Sequence, residues 1–188
     1  MRQTLVIIRR IENDKLNLKQ YLFRNPYYLC KKQFINMETP ILNEAKKQYP
    51  TDMHTAEHIL NQTMVRMFGC SRSKNSHIER KKSKCDYILS AAPTESQIEE
   101  IVRVVNEVID SHSEVYEDII SRKEAAKIVD LTKLPDDASE MLRIIRVGDY
   151  DACACIGQHV SNTSEIGKFQ IISHDFEEGR WRVRFKLV

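Results

Sequence analysis

Glycine is scarce in this chain, with five in 188 residues and the first at position 69, and proline is equally rare at five. Such sparse use of both excludes a collagen-like or Pro/Gly low-complexity chain. There is one tryptophan, and no stretch approaches the roughly 20 apolar residues that a membrane-spanning helix needs. The apolar run in MRQTLVIIRRIEND is flanked by charge on both sides. It is too short for a signal-peptide core and lacks a small-residue cleavage site. The five cysteines are odd in number and irregularly spaced, which argues against a disulfide framework and for a reducing compartment, with the cytoplasm as the expected location. A net charge of only +2 excludes a polyelectrolyte, so any nucleic-acid contact must come from a local patch.

What is present is a chain long enough to bury a real core, with one domain and an appendage as the expected division: residues 1–50 as an N-terminal segment of unclear role and 51–188 as the domain. Thr4 to Arg10 reads as a strand, while residues 14–50 mix aromatics, Asn, Lys and prolines without a sustained period. From Asp52 the periodicity predicts a helix, with Ile59, Leu60, Met64 and Met67 at helical spacing and Gly69 as its stop. Thr94 with Gln97, and Ser121 with Glu124, have the spacing of capping boxes. The first opens a helical stripe of Ile98, Ile101, Val102, Val105, Val108 and Ile109. His77 to Glu79 is expected to pair with Cys85 to Leu89. Met141 to Val147 and Asp151 to Cys155 read as strands, and Phe169 to Ser173 with Trp181 to Leu187 as a terminal hairpin. This order predicts an α+β fold, a two-layer sandwich of helices on a mostly antiparallel sheet.

The chemistry concentrates in two short motifs. His54 and His58 stand four apart on the predicted helix, so their imidazoles can be aimed at one point. Cys155 and His159 flank a glycine-containing turn at a predicted strand end, and a turn lets a thiolate and an imidazole converge. Alone, the histidine pair reads more readily as two partly exposed helix histidines than as metal ligands; two such half-sites in one chain are far more specific, and point to a four-ligand Zn²⁺ site. Cys153 shares a strand face with Cys155 and competes as a ligand, with packing beside the site as its bland reading. His77, His112 and His174 have no partner at ligand spacing, and Cys30, Cys70 and Cys85 read as small apolar side chains.

The residues His54-Thr55-Ala56-Glu57-His58, followed about a hundred residues later by Cys155-Ile156-Gly157-Gln158-His159-Val160-Ser161-Asn162-Thr163-Ser164-Glu165-Ile166-Gly167, resemble the zinc-dependent editing domain of alanyl- and threonyl-tRNA synthetases and of stand-alone alanyl-tRNA editing proteins. The resemblance runs from about Asp52 to the C-terminus. It implies that His54, His58, Cys155 and His159 hold zinc in a pocket that receives the aminoacylated 3′ end of tRNA, where the ester is hydrolysed when the wrong amino acid, often serine, is attached.

Three departures qualify it. The second motif usually reads CGGTH, whereas Ile156 and Gln158 here add bulk on either side of Gly157, making these three the expected pocket residues. A glycine-rich N-terminal module is missing. No synthetase catalytic domain accompanies the motifs, so the implied deacylation acts in trans.

For chemistry beside the metal, Glu57 and Thr55 are the candidate water-handling residues. His54-x-x-Glu57-His58 also fits a metallopeptidase pattern in which Glu57 is the general base and Glu124 or Glu140 supplies a further ligand; that reading leaves Cys155 and His159 unexplained. A third reading is a non-catalytic, zinc-containing tRNA-binding module. Arg72, Lys74, Arg80, Lys81, Lys82 and Lys84 cluster in a predicted loop and strand edge. By charge alone they serve phosphate binding or solubility equally, and the resemblance favours phosphate.

Overall fold

A computed structural model describes residues 47–188 apart from 133 and 135–137. The strand expected at Thr4 to Arg10, the stretch from 14 to 46 and Cys30 lie outside the described residues. The first helix, α1 (Thr51–Phe68), has no side-chain cap at Pro50 and ends on Gly69. That residue takes a left-handed conformation (φ 63°) open to glycine without strain and donates its N–H to the Val65 carbonyl. There follow β1 (Asn75–His77), β2 (Ser83–Ile88), α2 (Glu95–Asp110), β3 (Val115–Ser121), a one-turn helix α3 (Arg122–Ala125), β4 (Met141–Val147), β5 (Asp151–Ala154), a 3₁₀ turn at Thr163–Glu165, β6 (Phe169–Glu177) and β7 (Arg180–Leu187).

The architecture is α+β, as the order of elements predicts, and its strands divide between two antiparallel sheets. One has the order β1-β2-β7-β6, the other β3-β4-β5. Both predicted capping boxes form, at Thr94 with Gln97 and at Ser121 with Glu124. The terminal hairpin closes through Glu178 and Gly179, both at positive φ, the pair of conformations that matches the right-handed twist of the strands it joins.

The four-stranded sheet buries one face. Trp181, Val183 and Phe185 on β7 point inward with Cys85 and Tyr87 on β2. On the alternate positions of β7, Arg182 pairs with Asp86 and Arg184 with Asp175. Against the inner face pack Met53, Ala56, Ile59, Leu60 and Met64 of α1 and Ile98, Ile101, Val105 and Ile109 of α2.

Within the small sheet, β4 packs into a core on each face, which explains its nearly continuous apolar run. Ile145 and Val147 belong to the main core, whereas Leu142 and Ile144 form a second core with Ala125. No sequence pattern announces strand β3: Val-Tyr-Glu-Asp-Ile-Ile-Ser lacks clean alternation because it is an edge strand with most of its residues exposed or half-buried. Its neighbour fixes the register that matters for the site, since β4 aligns Val147 with Asp151 and Ile145 with Cys153. The Cys155 N–H then donates to the Arg143 carbonyl at 3.1 Å, continuing the ladder one step past β5. Asp151, Cys153 and Cys155 therefore emerge on the face of the small sheet that meets α1. No helix among the described residues is long and apolar enough to cross a membrane.

Candidate metal centre

The first two turns of α1 place His54 and His58 one above the other, and the turn after β5 brings Cys155 and His159 to them. One ligand atom from each of the four lies within 4.8 Å of the others. Two of the rings stack, His54 on His159 with centroids 4.2 Å apart, while His58 stands edge-on to His159 at 4.5 Å. His54 and His58 are 6% and 3% exposed, whereas Cys155 and His159 are half-buried, so the cluster is closed on the helix side and open on the turn side.

This closeness depends on Gly157. A Cβ built there would come 2.4 Å from Cε1 and 2.9 Å from Nδ1 of His54, closer than any real side chain approaches. The turn is held by Arg143, whose Nη1 donates to the carbonyls of Gly157 at 2.6 Å and Cys155 at 3.2 Å.

Hydrogen bonding orients each ring for coordination. Nδ1 of His54 lies 3.0 Å from the Gln158 carbonyl, which only accepts, so Nδ1 carries the proton and Nε2 faces Cys155 Sγ at 3.6 Å with a free lone pair. Nδ1 of His58 faces Oδ2 of Asp151 at 3.4 Å, within ion-pairing distance although not aligned as a hydrogen bond. Nδ1 of His159 meets the Thr55 hydroxyl at 3.2 Å, and its Nε2 is buried without a hydrogen-bond partner. A thiolate and imidazole lone pairs aimed at one small volume, one of them an orphaned buried nitrogen, fit a divalent metal ion of the zinc class.

Electrostatics favour the ligand forms of Cys155 and His159 and oppose that of His58. Burial pushes the Cys155 thiol up, but the neighbouring imidazoles of His159, His54 and His58 outweigh it and hold the pKa at about 3. Burial lowers His159 to about 4, keeping it neutral. For His58, burial acts downward, yet Asp151 and Cys155 together raise it well above the ordinary value. Asp151 is itself pushed up by burial and pulled down more strongly, to about 2, by His58 and by Arg72.

Several expectations are sharpened or corrected here. Cys155 joins the ligand group and Cys153 does not. Cys153 stays protonated in the neutral range because burial raises its pKa. Among the described residues no carboxylate joins the group either; Glu124, nominated for the metallopeptidase reading, caps α3 by accepting from Ser121. The Glu57 carboxylate is buried on the side of α1 that faces β1, accepting from Asn61 at 2.6 Å and Ser76 at 2.9 Å.

Ile156 is 43% exposed and the Gln158 side chain is exposed, both beside the open side of the cluster. Lys74, Arg80, Lys81 and Lys82 are exposed and Lys84 half-buried. Arg72 departs from that basic group: its guanidinium forks onto the buried Asp151 at 2.7 and 3.1 Å and also reaches the His58 carbonyl. A buried carboxylate requires a buried cation, and this arginine supplies it. Asp151 and Arg143 are the site residues that sequence reasoning missed. The only signal for Asp151 was its period-2 spacing with Cys153 and Cys155, and nothing in the sequence marked Arg143.

Comparison with known proteins adds a family. Residues 142–184 match the family described as the threonyl and alanyl tRNA synthetase second additional domain. The alanine–tRNA ligase of Fervidobacterium nodosum is 32% identical over 133 residues, covering 70% of this chain and 15% of that protein. The alanine–tRNA ligase of Caldicellulosiruptor saccharolyticus is 34% identical over 122 residues, 64% of this chain and 14% of its own length. That of Bacillus subtilis is 31% identical over 121 residues, again 64% and 14%. The similarity thus spans 14–15% of the length of these curated relatives.

Two outcomes follow from this geometry. Gly157→Ala should displace the His54 ring and weaken metal binding at least about 10-fold by competitive chelator titration; an unchanged affinity would show that the turn yields instead. In metal-free protein, a thiol with a pKa near 3 is fully ionised above about pH 5. Iodoacetamide should therefore alkylate Cys155 almost as fast at pH 6 as at pH 8, whereas an ordinary thiol slows by roughly 75-fold. Peptide mapping by mass spectrometry reads the rate at Cys155 alone.

Proposed function

Because residues 142–184 match the second additional domain of the threonyl and alanyl tRNA synthetases, we propose that the chain is an aminoacyl-tRNA deacylase that removes a wrongly attached amino acid, seryl foremost, in trans at a Zn²⁺ site. The observation that carries this reading is the convergence of His54, His58, Cys155 and His159 with their open side toward the Ile156–Gln158 turn.

An aminoacyl ester is an activated carbonyl, so its hydrolysis needs a positioned water and stabilisation of the developing oxyanion rather than a strong general base. Zinc, when bound, supplies Lewis-acid polarisation of the ester oxygen. The protein's own residues do the rest. The buried imidazoles of His54 and His58, with Cys155 and His159, would hold the ion. Gly157 leaves room for the backbone to approach, and the exposed Ile156 and Gln158 line the rim where the 3′-terminal aminoacyl group enters. Glu57, with its carboxylate engaged by Asn61 and Ser76, supports α1 from the far side, which leaves orientation of the attacking water to the substrate's own hydroxyls. Lys74, Arg80, Lys81, Lys82 and Lys84 offer phosphate contacts that raise the affinity for tRNA.

A second reading has one observation behind it. Four protein ligands complete a tetrahedral zinc shell, as in structural sites, which favours a non-catalytic, tRNA-binding zinc module.

Incubating the zinc-loaded protein with a panel of mischarged tRNAs separates the two. The deacylase should release serine from seryl-tRNA faster than it releases the cognate alanyl or threonyl group, lose that activity with His54→Ala or Cys155→Ala, and lose well under 100-fold with Glu57→Gln. Loaded protein that binds these tRNAs and releases nothing would establish the module instead. Exchange of Lys81, Lys82 and Lys84 for Glu should weaken tRNA binding and flatten the dependence of log Kd on log salt, by about one unit of slope for each phosphate no longer neutralised. An unaltered slope would assign those lysines to solubility.

A further inference from the structure

Of the groups that surround the cluster, the Thr55 hydroxyl is the one whose hydrogen-bond inventory closes without choice. A threonine hydroxyl has one proton to donate and two lone pairs with which to accept. Oγ1 of Thr55 lies 2.7 Å from the carbonyl oxygen of Thr51, a group that only accepts, so the single proton goes there. The Val160 N–H donates to Oγ1 at 3.2 Å, taking one lone pair. The third contact is Nδ1 of His159 at 3.2 Å, and with its proton committed Oγ1 can only accept from it. Nδ1 of His159 therefore carries the ring proton, and Nε2, buried and otherwise unpartnered, carries the lone pair.

We propose that Thr55 is a positioning residue that fixes His159 in its Nδ1–H tautomer and so selects Nε2 as the metal-binding atom. Thr55 does not handle the water. Its place on α1 between His54 and His58 means that one hydroxyl joins both halves of the site, since it also fastens Val160, the residue after the last ligand. The Gln158 carbonyl and Asp151 act in the same sense on His54 and His58, so all three rings present Nε2. Of these three supports, Thr55 alone can lose its hydrogen-bonding group by a side-chain exchange that preserves shape and charge. The proposal rests on the metal-site reading of the four ligands but not on hydrolysis.

The test uses zinc affinity and the tautomer, neither of which depends on activity. Thr55→Val keeps the shape and removes the hydroxyl, and it should bind zinc about 10- to 100-fold more weakly in competition with a chelator, the range set by loss of a hydrogen-bond partner behind a metal ligand. Thr55→Ser keeps the hydroxyl and should stay within a few-fold of the parent protein. A purely structural pin on Val160 would lower the stability of the metal-free protein in the valine variant while leaving its zinc affinity intact, and that outcome overturns the proposal. In the zinc-loaded parent protein, ¹⁵N-edited NMR should find the His159 proton on Nδ1. A proton on Nε2 overturns the proposal even if the valine variant does not fold. A parent protein that binds zinc with this tautomer yet deacylates nothing would remove the proposed enzyme and leave the assignment of Thr55 standing.

Discussion

The centre of this protein depends on a close approach. The start of a helix and the end of a strand must come near enough that His54 touches backbone with no room for a side chain between them, and Gly157 is the residue that permits it. Moving that turn outward by the width of one methyl group would separate Cys155 and His159 from the imidazoles of α1. The packing beneath is organised to hold the approach: α1 is buried along Met53, Ala56, Ile59 and Leu60, and β4 is sealed between two cores, so neither partner can shift to relieve crowding.

Charge is arranged around this contact in layers. Three histidines beside one buried thiol stabilise a thiolate, and the raised pKa of His58 makes the metal-free site an imidazolium–thiolate pair. For His58 to serve as a ligand its proton would have to leave, so binding of a metal ion would be coupled to proton release and would weaken as pH falls. Behind His58 the carboxylate of Asp151 is kept ionised inside the protein by the fork of Arg72. That pairing explains why one residue of an otherwise exposed basic stretch turns inward: a buried carboxylate facing a metal ligand requires a permanent cation, and arginine alone supplies one that also bonds through two parallel N–H groups.

The family match and the geometry divide the site unevenly. Residues 142–184 contain Cys155 and His159 together with β4, β5 and most of the terminal hairpin, while His54 and His58 stand about ninety residues earlier. The structure supplies the connection through α1, and it runs through backbone as much as through side chains: the carbonyls of Gln158, Cys155 and Gly157 are all taken by side chains from other elements. These contacts are open to any residue type at the accepting positions, so such support leaves little trace in a sequence.

The periodic elements were legible because their signals are local. The helical stripe from Ile98 to Ile109 and its capping box, the stop at Gly69 and the alternation in Trp181 to Leu187 each follow from a few neighbouring residues, and each formed where expected. The two ligand pairs were legible for the same reason, as spacings within a single helix and a single turn. Strand β3 was not, because an edge strand with mixed polarity owes its conformation to pairing with β4 rather than to its own pattern. By itself, then, the sequence determined the α+β class, the helices and the identity of the four candidate ligands. Only the tertiary structure decided that the pairs meet, that Arg72 belongs to Asp151, and that Thr55 stands behind His159. Each of these depends on the register between β4 and β5 and on the seating of α1 against it, relations between residues about a hundred positions apart that no local pattern encodes.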